Sequence, residues 1–353
     1  MLKRAGALCA VLAAIASWVS CAGTTSHYVY MAITASSQIA VFREDPYSGV
    51  LTQIANSPYA AGVSVEALAL HPSKKFLYAA NAGSSNISLW TIGSDGGLTE
   101  VTPATGAGTT PSLLVMDPTG SYLYCANAGS NDLDVYSIDA SSGALSQIGK
   151  PIKIGILPLS MVISPSGNAL YVGSSIQTNG VIIGFTVNAG NLQAIPGSPF
   201  TTGRNPNGMT INAAGTFLYT ANDVDNSISA FSIDPSSGTL TGLTGFPLGE
   251  SNAGPTSITL TPDNNYLYVA NQGSSNVAGY IVEQGGGLQL IANSPYATSK
   301  NPAVVAIDPN GNYVIVGNQS GGLQTFGVGS SNGALTTIQS YSPGTPKSMV
   351  ILQ

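Results

Sequence analysis

Residues 218–243, LYTANDVDNSISAFSIDPSSGTLTGL, recur in close copies along the chain. A Leu precedes Tyr219, Ala221 and Asn222 follow it, a β-branched and aromatic run ends at Phe231, and Ser237-Gly238 mark a turn. Aligned on that residue, the copies anchor at Tyr30, Tyr78, Tyr124, Tyr171, Tyr219, Tyr268 and Ile315, with spacings of 48, 46, 47, 48, 49 and 47 residues. Seven copies at so even a spacing restrict the chain to a repeat architecture, in which each copy buries its apolar faces against its neighbours.

Each copy holds four short apolar segments, at residues 208–211, 217–221, 227–233 and 239–243 in the fifth. They are too short for helices and are bounded by Gly, Pro, Asn, Asp or Ser, so they are expected to be strands, labelled A to D in order. The third alternates Ile228, Ala230 and Ser232 against Ser229, Phe231 and Ile233, as a strand does when its two faces meet different surroundings. Between C and D lies Asp234-Pro235-Ser236-Ser237-Gly238, echoed at Asp139 to Gly143 and Asp45 to Gly49. An Asp that accepts hydrogen bonds from the turn backbone, followed by a Gly free to take positive φ, is hairpin chemistry.

Four antiparallel strands in a repeat of this length make one blade of a β-propeller, so the expected fold is all-β with seven blades. The chain ends agree. The first copy starts at strand B, Tyr28 to Ile33, with no A strand before it, whereas the chain continues past the last D strand as residues 346–353. That tail matches the A strands at residues 111–118 and 302–309, so it is expected to complete the first blade and leave no open sheet edge.

Residues 1–20 read as an export signal, with basic Lys3 and Arg4 before the uncharged, Ala-rich run at residues 5–19, which is short for a membrane span. Small residues before Cys21 resemble a bacterial lipoprotein signal, although Trp18 stands where that pattern has Leu; the other reading is an ordinary signal cut near Ala22. On the first reading Cys21 is lipidated, residues 21–27 form a tether, residues 28–353 form the propeller, and a lipid anchor is the only contact with a membrane. The expected location is the bacterial cell envelope, or outside the cell.

Removing Lys3 and Arg4 leaves eight basic residues against sixteen acidic ones, which argues against nucleic acid as a partner. Cys125 lies on a B strand where other copies have Ala79, Val172, Thr220 and Val269, so it is expected to be a buried small residue and not a nucleophile. No disulfide framework, metal site or cofactor is expected, and the ring is expected to be a monomer.

The segments Tyr-Val-Ala-Asn-Gln-Gly-Ser-Ser-Asn-Val at 268–277 and Tyr-Ala-Ala-Asn-Ala-Gly-Ser-Ser-Asn-Ile at 78–87 resemble the seven-bladed lactonase-like propellers and the Tyr-Val-Thr-Asn repeats of bacterial and archaeal surface proteins. The resemblance covers residues 28–353. Lactonase-like members include 6-phosphogluconolactonases and a carboxymuconate-lactonizing enzyme, so it implies a lactone-opening site in the mouth of the central channel. Catalytic members carry Pro-Arg-His leading into an A strand. The matching residues here are Pro206-Asn207-Gly208, and no other A strand supplies Arg-His.

Other motifs have structural explanations. His71 fills an A-to-B turn slot held elsewhere by Asp117, Ser164, Asn212, Thr261 and Asp308, and His27 sits beside the tether. Gly329 to Gly333 fits Gly-x-Ser-x-Gly but lies in a hairpin, not a strand-to-helix turn. Asp223-Val224-Asp225-Asn226 lacks the later Gly and Glu of a calcium loop. Asn81, Asn127, Asn222, Asn271 and Asn318 end B strands, where capping of the next turn accounts for them.

What remains is a set that ring geometry brings together. The residue after the Pro-like position of each A strand is expected to face one end of the channel: Lys347, Glu66, Ser112, Leu159, Asn207, Thr256 and Ala303. Glu66, Ser112, Asn207, Thr256 and Lys347 are the candidate ligand-binding residues. Lys347 and Glu66, on adjacent blades, are expected to form a salt bridge or to act on a ligand, and Arg204 to reach the same mouth. Two readings follow: a binding or scaffold propeller that takes a small molecule, glycan or protein on one face, or a lactonase built from Glu66, Lys347 and Arg204.

Overall fold

The computed structural model describes residues 26–176, 178–249, 254–342 and 344–352. The export segment and Cys21 lie outside the described residues. The rest is an all-β ring of seven blades of four antiparallel strands, with one 3-10 turn at Thr34–Ser36.

Blade 5 explains how the repeat encodes this architecture. Its strands are A at Pro206–Ile211, B at Phe217–Asn222, C at Ser227–Ile233 and D at Leu240–Gly242. Successive side chains on a strand face opposite ways, so Leu218 and Phe231 join Tyr171 and Ile182 of blade 4, while Tyr219, Ile228 and Ala230 join Leu267 and Val269 of blade 6. Both faces are buried against a neighbour. Seven such clusters, one per interface, replace a single central core. Each fully buried Tyr or Leu contributes about 1.5–3 kcal/mol by leaving water.

The anchor tyrosines also staple the blades. The hydroxyl of Tyr219 donates to the carbonyl of Gly286 in the next blade's C–D turn at 3.0 Å. Tyr30, Tyr78, Tyr171 and Tyr268 do the same to Gly96, Gly143, Gly238 and Gly333. The turn Gly must be Gly on two counts. Its φ is positive (+86° at Gly286), and a Cβ there would collide with a side chain of the adjoining blade, the Phe217 ring in this case. Within the turn, Asp234 Oδ1 accepts from the backbone N–H of Ser236 and Ser237 at 3.1 and 2.8 Å, as the sequence predicts.

The ring closes as expected. Pro346–Leu352 pairs antiparallel with His27–Ile33, with Tyr30 opposite Val350 and Tyr28 opposite Leu352, which makes the C-terminal strand the innermost of the first blade. One refinement concerns strand D, which five blades break into two pieces that both pair with C, for example Leu51–Gln53 and Tyr59–Ala60. Ser-Pro pairs sit at three of the breaks. Pro cannot donate to the ladder, and the preceding Ser hydroxyl accepts the strand C N–H instead, as Ser57 does for Val41 at 2.8 Å.

Candidate binding site at the channel mouth

The site is built by a defect repeated around the ring. Near the start of strand A the A–B ladder skips a residue: Val65 pairs with Asn81 and Ala67 with Ala80, leaving Glu66 unpaired. The same shift leaves out Ser112, Asn207, Thr256, Ala303 and Lys347. A bulge frees one residue from the ladder and re-aims its side chain. In blade 4 the ladder starts only at Ser160, so Leu159 reaches the same position without a bulge. All seven residues line one cavity of about 510 Å³.

Its wall is mostly uncharged. Some polar groups serve the ring: Ser348 Oγ accepts from Leu68 N, Ser257 Oγ from Val305 N, and Thr256 Oγ1 donates to the Pro302 carbonyl, each linking one inner strand to the next. Asn207 Nδ2 donates to Asp223 Oδ2 at 3.2 Å, and burial holds the Asp223 carboxyl above its ordinary range against that hydrogen bond. Gln272 and Gln319 add two amides to the lining, and their side chains make no hydrogen bond among the described residues. Both also line an adjoining depression of about 450 Å³ with Asp223, Asn226 and Asn301, so the cavity opens onto the rim of blades 5 to 7.

The charged pair is where the sequence places it, half-buried through Glu66 and with the Lys347 ammonium in water. Lys347 Nζ lies 3.7 Å from Glu66 Oε2, with side chains 53% and 22% exposed. A loose pair in water contributes about 0–1 kcal/mol. Arg204 does not reach the cavity. Its Nε donates to Asp225 Oδ1 at 2.6 Å and its backbone N to Asp225 Oδ2 at 2.7 Å, which holds the guanidinium on the outer loop. That pairing pulls the Asp225 carboxyl below its usual range, the backbone hydrogen bond contributing most.

The remaining motifs are absorbed by the fold. His71 Nε2 lies 2.9 Å from the Gly120 carbonyl and its Nδ1 2.7 Å from Ser73 Oγ, so it is a turn residue. The recurrent Asn side chains bridge strands B and C, as Asn222 does to Ser227 and Ser229. The Asp223–Asn226 loop is committed to Asn207, Arg204 and the Gly254 N–H. Cys125 is fully buried, and burial pushes its thiol well up, the opposite of an activated thiolate.

Gln272 and Gln319 are the lining residues that reasoning from the A strands misses. They follow the recurrent Asn, where the copies vary among Ala82, Ala128, Asp223, Gln272 and Gln319. Variation inside an otherwise regular repeat is the signal that would have found them.

Likeness to known proteins follows the same lines. Solved structures that superpose on the ring include a provisional 6-phosphogluconolactonase from Bacteroides fragilis (TM-score 0.81, 22% identity, 94% of this chain and 99% of that one). A periplasmic gluconolactonase from Pseudomonas aeruginosa matches with TM-score 0.79 at 20% identity, over 93% and 99% of the two chains. The hydrazine synthase of Kuenenia stuttgartiensis shares the fold more loosely, with TM-score 0.57 at 18% identity over 82% and 91%. At these identities the likeness establishes fold alone. No curated protein matches the chain in sequence. The sequence model of the family described as "Lactonase, 7-bladed beta-propeller" matches residues 23–156, 160–253 and 243–352. With nearly the whole ring so matched, the chain belongs to the seven-bladed lactonase family of β-propellers.

Proposed function

We propose that this propeller is an exported binding module whose channel mouth takes a neutral, polyhydroxylated ligand, a sugar or a short glycan. The observation that carries this reading is the chemistry of the lining. A cavity of about 510 Å³ sets three amides and four hydroxyls among apolar side chains such as Leu113, Leu159 and Met349, has no Arg or His in its lining, and has its one ammonium matched by a carboxylate. Amides and hydroxyls both donate and accept, which suits sugar hydroxyls, and the volume is typical of small-ligand sites. An anionic substrate would find no guanidinium to hold it in the cavity, and no imidazole is present to move a proton near neutral pH.

Export is supported by the basic start and uncharged run at residues 3–19, with Cys21 as the point of lipid attachment. The acidic balance of the processed chain supports ligands other than nucleic acid.

A second reading, lactone hydrolysis, is favoured by family membership together with the Glu66–Lys347 pair. In it Glu66 would draw a proton from water and Lys347 would steady the oxyanion that forms on the lactone carbonyl.

Titration calorimetry of the mature protein against a panel of neutral mono- and oligosaccharides tests the first reading. Saturable binding of at least one sugar is expected, weakened about tenfold by Asn207→Ala or Gln272→Ala, the loss of one net hydrogen bond. A panel without binders, or binding indifferent to both substitutions, would remove the sugar site.

A further inference from the structure

At the end of the strands away from the mouth, the first blade departs from its own repeat. The strand C residue that pairs with a Leu near the start of strand D is Ile92, Ile138, Val187, Ile233, Val282 or Val328 in six copies, and Glu44 in the first. Glu44 is fully buried, pairs across the ladder with His27, and its Oε1 has no hydrogen-bond partner among the described residues. A carboxylate without a partner in a dry place is costly, so an acid at an aliphatic position calls for a counterpart.

The surrounding groups indicate which counterpart. His27, also buried, puts Nδ1 3.3 Å from Glu44 Oε2. Asp308, from the A–B turn of blade 7, puts Oδ2 3.9 Å from the same nitrogen. One ligand atom from each of the three lies within 4.8 Å of the others. Among the described residues no Lys or Arg pairs with either carboxylate.

We propose that His27, Glu44 and Asp308 bind a first-row divalent cation of the zinc or manganese class, which clamps blade 7 to the first blade beside the ring closure. One imidazole and two carboxylates are a common donor set for such ions. Bonds of about 2.1 Å place tetrahedral ligands about 3.4 Å apart, against 3.3 Å from His27 Nδ1 to Glu44 Oε2 and 3.9 Å from the same nitrogen to Asp308 Oδ2. Asp308 Oδ2 accepts the backbone N–H of Asn310 at 3.1 Å and its Oδ1 that of Tyr313 at 2.6 Å, which fixes the carboxylate from outside. The competing occupant is a proton. Burial, with Asp308 adding to it, lifts the Glu44 carboxyl to about 8, while burial lowers the imidazole, so a neutral acid beside a neutral ring is the metal-free alternative.

The test uses the untagged mature protein, stripped with EDTA, dialysed, and titrated separately with zinc and manganese chlorides. Elemental analysis is expected to find one equivalent per chain for one of the two ions, and that ion is expected to raise the melting temperature by several degrees. Glu44→Gln keeps the shape, and Glu44→Ile restores the residue type of the other blades, so both should fold. Each is expected to lose the bound equivalent and the metal-dependent rise. Retention of the metal by both variants, or failure of the wild type to bind either ion at micromolar concentration, overturns the proposal. In the latter case a Glu44→Ile protein more stable than wild type would identify the shared proton as the occupant.

Discussion

The hydroxyl of the anchor tyrosine separates two roles that its burial would otherwise merge. Tyr219 donates to Gly286 in the next blade, whereas the equally buried Tyr124 hydroxyl has no partner among the described residues. Tyr219→Phe is therefore expected to lower stability in a denaturant melt by about 1 kcal/mol, because a buried carbonyl loses its donor, and Tyr124→Phe to cost nothing or to gain slightly. Equal losses would mean that the staples do not contribute. The turn acids behave differently. Hydrogen bonds from the Ser236 side chain first, and then from Ser237, pull the Asp234 carboxyl from 3.8 to about 2. A depressed carboxyl pKa contributes stability that is complete above the unfolded value and is lost as pH falls through the folded one. Melts of Asp234→Ala should thus lie below wild type at pH 7, with the gap narrowing between pH 4 and pH 2. A gap that stays constant would place the effect in turn geometry and not in the charge. At Cys21, labelled palmitate is expected in the wild type and not in Cys21→Ser, and equal incorporation would remove the lipid anchor.

The inner strand is the element on which both closure and the mouth depend. Pro346–Leu352 pairs with His27–Ile33 and also brings Lys347 and Ser348 to the cavity. Deletion of residues 346–353 leaves the first blade without its inner strand and exposes a sheet edge, so the truncated chain is expected to aggregate or to melt far below wild type. An unchanged melt would contradict the closure. The Lys347–Glu66 pair on the same rim predicts a small effect. Lys347→Ala, Glu66→Ala and the double variant should each stay within about 1 kcal/mol of wild type, with little coupling in the cycle, because water screens the pair. Coupling well beyond that would mean that the pair is drier than its exposure indicates.

Across the whole molecule, legibility follows how local the cause is. The blades, turns and closure were readable because period, Asp-x-x-x-Gly turns and a displaced A strand are properties of neighbouring residues. The ring then placed the seven A-strand residues around one cavity by symmetry, although the bulge that aims six of them is visible only in the ladder. Arg204 defeated the same reasoning, since its direction depends on Asp225, which is distant in sequence and offers a better partner than the channel. Glu44 was missed because it breaks the repeat at a strand end, where attention to turns and inner strands does not look.

The central claim is that the mouth binds without hydrolysing. The most direct measurement follows acid release, with a pH indicator, from sugar lactones and 6-phosphosugar lactones incubated with the mature protein, beside Glu66→Gln and Lys347→Ala. The account predicts rates equal to spontaneous opening for all three proteins. Saturable acid release by the wild type that either substitution cuts by tenfold or more would contradict it and place a lactonase at the channel mouth.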